Sequence, residues 1–445
     1  MFNYTIRNAN VVNEGIIERK DVSIVDGRIT FDCGKHPDAT VIDAEGCYLV
    51  PGVVDTHVHF RDGGDGSNPA GDFFTESRAA LVGGTTSVID MPNTVPQTTT
   101  LEALEQKERM AAEKSAVNYG FMLGATNDNI EQLLAVEPTR YAAIKLFLGS
   151  STGNMLVNDE ERLDTLFRQA RKIIVAHCEE ESIIQSNTAA LRPRYEGTAG
   201  ETAALHPQIR SKEACLASTK KAIERALRYG TRFHVAHITT AEETALLSSH
   251  STADKHITAE VSPNHLHFSS NDYTRLGNLI KCNPAIKDEE TRQALLQALF
   301  DGRIDSIATD HAPHTLQSKQ KPYFSAPSGI PSIQHSLQMV IDDTLPLFPT
   351  NRDAHFAFIA EKMCHNPATI FGLHKRGFLR NGYYADIVIV APDESETVTN
   401  ESLLYKCKWS PIEGATLHSR IRATFINGNL FDGTGNKAMP LEYER

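Results

Sequence analysis

No run in this 445-residue chain stays apolar for the roughly 18 residues that a membrane-spanning helix requires. The opening residues, MFNYTIRNANVVNEG, lack the basic head and apolar core of a secretory signal, so a cytoplasmic protein is expected. A positive excess is missing too. Lys and Arg number 44 against 56 Asp and Glu, for a net charge of −12. That balance argues against a nucleic-acid partner and an anionic membrane surface, and an anionic substrate would have to be caught by local cations against the mean field. The seven cysteines, at positions 33, 47, 178, 215, 282, 364 and 407, are scattered and contain no CxxC pair. Reduced thiols account for them most simply. Low-complexity tracts and short-period repeats are absent. What is present is 40% hydrophobic residues, enough for a sizeable core, in a chain longer than one small domain.

Both ends of the chain read as short strands punctuated by glycine. YTIRNANVV, KDVSIVDGRIT and ATVIDAEGCYLV lie at the start, ADIVIVAP and SRIRATFINGNLFD near the end. This predicts one small β-sandwich domain assembled from residues 1–52 and 374–445. The middle, 53–373, alternates short apolar strands with polar-faced helical stretches. Candidate strands are 53–58, 86–91, 117–124, 141–148, 173–177, 232–237, 257–261 and 305–309, with helices expected at 101–115, 159–171, 211–229 and 288–301. Eight such units are what a closed (β/α)8 TIM-type barrel requires, so the fold class is α/β.

Barrel enzymes place their reactive groups at the C-terminal ends of the strands. In the stretch VVDTHVHFR, His57 and His59 are two residues apart on a strand and therefore share a face. Strand five ends in His177, strand six in His237 and strand eight in Asp310. A single strand-end histidine is more often structural, but five ligand-type residues at strand ends point to metal binding. Lys145 stands in the apolar strand AAIKLFLG, where an unpaired ammonium is costly to bury. Either a carboxylate pairs with it, or its amine is depressed in pKa and takes up carbon dioxide as a carbamate able to bridge two ions. On the second reading His57, His59 and Asp310 hold one zinc ion, His177 and His237 hold another, and carboxylated Lys145 bridges them. Such a pair lowers the pKa of a bridging water and polarises a carbonyl, while Asp310 takes the water's proton and passes it to a leaving nitrogen.

With these residues in view, the chain resembles the amidohydrolase superfamily and, within it, the dihydroorotases. DTHVHFRDGG is similar to their first signature and ATDHAPHTLQSK to their second, with Lys319 at the expected spacing, and DMPNT matches as well. The resemblance implies hydrolysis of L-dihydroorotate to N-carbamoyl-L-aspartate, reversibly, in pyrimidine biosynthesis. It also implies substrate contacts from Arg61, Asn93, Asn283, His314, Ser328 and Gly329. Arg61 follows His59 by two and shares its face, and a guanidinium can grip the substrate carboxylate at two points. The implied partner is a small molecule, with a homodimer allowed by the exposed barrel faces.

Two rival readings remain: a hydantoinase- or allantoinase-like cyclic amidase, and an inactive barrel serving as a structural partner of aspartate transcarbamoylase. Some residues are expected to be bland. His265, Cys178 and His311 read as structural, Glu179 to Glu181 as a solvated helix start, and Trp409 as β-domain core. The aspartates nearest to strand four, Asp159 and Asp164, fall where a helix begins or runs. Residues 312–330 lack helical period and are expected to close over substrate.

Overall fold

In this computed structural model, residues 3–35, 38–64, 66–149, 155–435 and 437–444 are described. Eight parallel strands form a barrel: Val53–Val58, Thr85–Asp90, Asn118–Phe121 continued by Leu123–Gly124, Ile144–Phe147, Ile174–His177, Phe233–Val235, Ile257–Val261 and Ser306–Ile307. Nearly every residue in them is buried, as expected of strands covered by helices outside and packed side chains inside. The ladders run in order from the first strand to the third and from the third to the eighth. Met122 interrupts the third strand, its N–H donating to Asp90 O at 3.2 Å. Closure is made by a parallel bridge between Val58 and His311, with His59 N–H donating to His311 O at 2.8 Å.

The helices sit where the periodicity predicts them, at Leu101–Lys114, Glu160–Gln169, Lys212–Tyr229 and Glu289–Phe300. Their starts are set by side-chain caps: Thr100, Asp159, Ser211 and Asp288 each accept from a backbone N–H of the first turn. The longest of these four ends on Gly230 in the left-handed conformation.

The terminal segments build one eight-stranded sheet. Its order is Asn429–Leu430, Arg420–Ile426, Ile387–Ala391, Tyr48–Pro51, Tyr4–Asn13, Ile16–Val25 and Arg28–Thr30, with Thr40–Asp43 also paired to Tyr4–Asn13. Ile6, Val22, Ile24, Leu49, Ile387, Ile389 and Phe425 form its core. Tyr48–Pro51 runs straight into the first barrel strand, which fixes the sheet's place beside the barrel. A buried polar network adds to this: Asn427 donates to Asn118 Oδ1 at 2.7 Å, and Asn118 donates to Asp386 Oδ2 at 3.2 Å. The last residues return to the third strand, where Leu441 N–H donates to Tyr119 O at 2.8 Å. Gly120 permits this approach, because a Cβ there would meet Tyr443 Oη. No helix among the described residues is long and apolar enough to cross a membrane.

Candidate active site

The C-terminal ends of the strands converge on one cluster. His57 and His59 leave the first strand on the same face, and Asp310 faces them from the chain beyond the eighth. The ligand-type atoms of these three residues all lie within 4.8 Å of one another, an arrangement able to hold a metal ion. Asp310 Oδ1 is 3.3 Å from His57 Nε2 and 3.1 Å from His59 Nε2. Across the cavity, His177 Nδ1 is 3.1 Å from His237 Nε2. The rings of His57 and His237 are 5.2 Å apart, so the two groups form one continuous cluster.

The outer hydrogen bonds fix which nitrogen faces inward. His57 Nδ1 donates to Glu260 Oε1 at 2.5 Å, and His59 Nδ1 donates to Asn93 Oδ1 at 2.8 Å. Both rings therefore turn Nε2 toward a carboxylate oxygen. Such an encounter is favourable only with a proton or a metal ion between the atoms. Two donors on one tetrahedral zinc ion, each at 2.0–2.1 Å, would stand about 3.3 Å apart, which matches the observed spacings. His177 repeats the pattern, its Nε2 donating to Glu179 Oε2 at 2.8 Å while Nδ1 faces His237. The donor set thus fits a divalent cation, each ligating ring being oriented by a partner on its far nitrogen.

Lys145 projects into the same cluster from the fourth strand. It is fully buried, and its Nζ has no hydrogen-bond partner. Of the two readings, the carboxylate-paired one is not what the structure has. Burial pushes the ammonium down from 10.5 to about 8, against a weaker upward pull from Glu260 and Asp310. Asp159 and Asp164 are engaged elsewhere: Asp159 caps its own helix and Asp164 pairs with Arg225 at 2.8 Å.

Burial, with Arg61 adding to it, holds His59 near 3, and burial drives His237 well below the imidazole range. Burial works to raise the Asp310 carboxyl, but the imidazoles of His57 and His59 outweigh it and keep the group below the ordinary aspartate value. Arg61, His237 and Asp310 all have positive φ, at 63°, 35° and 48°. Left-handed backbone at non-glycine residues is costly and concentrates at functional sites. It also explains why the sixth strand stops at Val235, two residues short of the expected 237.

The substrate-side residues form a second layer. Arg61 is part-buried, its buried Nε finds no partner among the described residues, and the charges of Asp310 and Asp90 act on it. Its own charge reaches His314, which burial and then Arg61 lower to about 3. His314 Nε2 donates to Ser328 O at 3.0 Å. Gly329 has φ of 143°, and a Cβ there would lie 2.4 Å from Ala312 O, so a glycine is required where the two segments touch. Asn283 follows the seventh strand, and its Oδ1 is buried without a partner.

Several residues differ from their sequence reading, and others escaped it. Glu179 is not solvated. It is fully buried, paired with Arg210, and holds His177. Burial works to raise its carboxyl, but Arg210 and His177 outweigh this and hold it at about 2. Trp409 does not sit in the terminal sheet's core, for its Nε1 donates to His314 O at 2.7 Å. Residues 312–330 contain a helical turn, Leu316–Lys319. Glu260 was missed. It accepts from His57, from Thr56 Oγ1 and from His234 Nε2, both at 3.2 Å. Asp55 was missed as well. It takes Thr309 N–H and Oγ1–H at 3.0 and 2.6 Å, aligning the first and eighth strands beneath the cluster. The signal for Glu260 was present in the sequence, as an acid inside the apolar run ITAEV. His265 and His311 do read as structural. His265 bonds Ser262 Oγ and Pro284 O, and His311 bonds Glu76 Oε2 at 2.8 Å.

Residues 48–431 match the Amidohydrolase family, and the chain belongs to it. It is an enzyme of the cyclic-amidohydrolase class, and that family is generally metal-dependent. Among its relatives is a dihydroorotase from Halobacterium salinarum, 32% identical over 89% of this chain and 92% of that protein. An allantoinase from Escherichia coli is 28% identical over 96% of this chain and 95% of its own length. The fold superposes on an L-hydantoinase from Arthrobacter aurescens with a TM-score of 0.90 and 25% identity, covering 99% of this chain and 100% of that one.

Proposed function

We propose that this enzyme is a dihydroorotase, catalysing the reversible hydrolysis of L-dihydroorotate to N-carbamoyl-L-aspartate in pyrimidine biosynthesis. The observation that carries the reading is Arg61. A part-buried guanidinium whose Nε has no partner among the described residues, beside His59 and His314, offers a two-point seat for a carboxylate. Dihydroorotate bears that carboxylate on its ring, whereas hydantoin and allantoin have none. The 32% identity to a dihydroorotase supports the same choice.

In this reading His57, His59 and Asp310 would hold one zinc ion, and His177 and His237 a second. The neutral amine of Lys145 would add carbon dioxide, forming an N–C bond and losing one proton, to give a carbamate anion able to hold both ions. Bound there, the ions would supply Lewis-acid polarisation of the ring carbonyl and a water of lowered pKa. The chain's own part is positioning and proton transfer. Arg61, with Asn93 and His314, seats the carboxylate. Asn283 and the Ser328–Gly329 backbone line the ring amide. Asp310, kept ionised by its two imidazoles, accepts a proton at Oδ from the attacking water and returns it to the ring nitrogen as the amide bond breaks. In cyclisation the order reverses. An inactive barrel needs none of these groups, and all of them are present.

The 28% identity to an allantoinase gives the neutral cyclic amides a specific claim as substrates. Turnover of dihydroorotate, hydantoin and allantoin by one zinc-loaded preparation separates the readings. Dihydroorotate should be preferred, and Arg61→Met should raise its KM by about 100-fold or more, the loss of a bidentate charged contact, while sparing any residual hydantoin turnover. Allantoin or hydantoin turnover without dihydroorotate turnover would overturn the assignment.

A further inference from the structure

Lys319 lies apart from the histidine cluster, on the helical turn after the eighth strand, and is only 1% exposed. A buried ammonium needs compensation, yet among the described residues no carboxylate pairs with it. The titratable groups that interact with it include Cys282, Lys281 and His314. Its three protons go to three backbone carbonyls instead: Lys281 O at 2.9 Å, Pro327 O at 3.1 Å and Gly329 O at 2.8 Å. An ammonium has three donors and no acceptor, so this ring of oxygens satisfies it completely. The Trp409 ring closes one side, its centroid 6.0 Å from Nζ. Lys281 adds a second clasp, its Nζ donating to Tyr323 O at 2.7 Å and to Ala326 O at 2.6 Å. The Lys281 carbonyl also accepts from Gly329 N–H at 2.8 Å. Two of the carbonyls gathered by Lys319, those of Pro327 and Gly329, flank Ser328, whose own oxygen accepts from His314.

We infer that Lys319 is a positioning residue for substrate: by drawing together the carbonyls of Lys281, Pro327 and Gly329 it fixes Ser328 and His314 in the wall that faces Arg61. The inference rests on the reading of that wall as a carboxylate seat. It also changes the expectation for residues 312–330, which are clasped in place by two buried lysines and by Trp409.

The test uses zinc-loaded Lys319→Met, a side chain of similar length that cannot donate. Hydrogen exchange should accelerate about tenfold or more across 312–330, consistent with losing charged hydrogen bonds, and stay unchanged in the barrel strands. KM for dihydroorotate should rise about tenfold with kcat within a factor of about two, the pattern of lost substrate positioning. Unchanged exchange and KM would overturn the inference. So would a fall in kcat accompanied by zinc loss, which marks a residue supporting the barrel as a whole. Should Lys319→Met fail to fold, Lys281→Met decides. It releases Tyr323 and Ala326 and should shift exchange and KM in the same direction by less, and no shift in either overturns the inference. If the parent enzyme does not turn over dihydroorotate, the carboxylate seat falls, while the exchange measurement still decides whether Lys319 organises this wall.

Discussion

The two halves of the histidine cluster are finished to different degrees. On the first-strand side each ring is anchored from behind, His57 by Glu260 and His59 by Asn93, and Asp310 sits between their inner nitrogens. On the far side His177 has its anchor in Glu179, but among the described residues the buried His237 Nδ1 and Lys145 Nζ find no hydrogen-bond partner. Buried polar groups are almost always satisfied, so among the described residues the second half is short of a partner. An anion at Lys145 would supply it, serving both the neighbouring imidazoles and any cation between them. The comparison teaches that folding alone satisfies one half, whereas the other half is the one that the proposed carbamate and metal would complete.

The largest effect expected is on the finished half. Asp310→Asn keeps the shape and removes the base, and the loss of a proton shuttle is worth about 10³-fold in kcat. Steady-state kinetics with zinc content measured in parallel will show it. Activity within about tenfold of the parent would mean that the acid at this position only holds the ion.

The unfinished half is tested by Lys145→Met, which should cost about 10²-fold or more in activity, since a bridging anion can no longer form. Its stability should move the other way. Burial lowers the folded-state pKa of Lys145 from 10.5 to about 8. The folded protein is thus penalised wherever this lysine is charged: fully below pH 8, less as the pH climbs, and not at all above the unfolded value of 10.5. In chelator-treated, carbon-dioxide-depleted buffer the methionine variant should be more stable than the parent by about 2 kcal/mol at pH 7, with the gain shrinking toward pH 10. Denaturant titrations at the two pH values check this. A variant less stable at both would mean that Lys145 is already satisfied in the folded chain.

Much of this contrast was legible in the sequence, and its limits have physical causes. Every barrel strand and four of the long helices follow from apolar period and capping residues, although the helix Glu181–Tyr195 was not foreseen; five of the six proposed ligands fall at or just beyond strand ends, and Lys145 lies within its strand. The oddity of Lys145 was legible because a lysine among Ile144, Leu146 and Phe147 has no solvent to reach. Glu260 and Glu179 were not, although each anchors a histidine. The apolar run ITAEV signals that Glu260 is buried, but its histidines come from other strands and leave no trace in residue spacing; Glu179 lies two residues from His177, but the Arg210 that holds it buried comes from a later segment. Glu179 was further disguised by the two glutamates that follow it, which stand at the start of the next helix. Trp409 was misplaced for the same reason: its segment is read as part of the terminal sheet, but tertiary packing lays it over His314.

The anchors themselves give the finer comparison. Glu260→Gln replaces a charged acceptor shared by His57, His234 and Thr56 with a neutral one, and loss of an anchoring carboxylate behind a ligand weakens metal affinity by about 10- to 100-fold. Glu179→Gln should do the same at His177 and also leave Arg210 without its carboxylate. Competition with a zinc-selective chelator would resolve one weakened ion from two. Glu260→Gln should loosen the ion of the first half and Glu179→Gln that of the second. Both variants loosening the same ion would mean that the cluster is a single site.

Asn93→Ala should produce the smallest change, because it removes a neutral carbonyl acceptor where Glu260 supplies a charged one, and charge-assisted bonds are roughly twice as strong. His59 Nδ1–H would then be left without its 2.8 Å partner. The cost is about 1–2 kcal/mol, visible as a zinc affinity reduced by about tenfold. Asn93→Asp offers His59 an ionised acceptor at the same place and should restore the affinity or exceed it. It would also put a negative charge beside the proposed seat of the substrate carboxylate, so KM should rise even as zinc binds more tightly. That opposite movement separates the two duties of Asn93, toward the ring of His59 and toward substrate. If KM and zinc affinity in the aspartate variant instead worsened together, Asn93 would serve the metal side alone, and the carboxylate seat would reduce to Arg61 and His314.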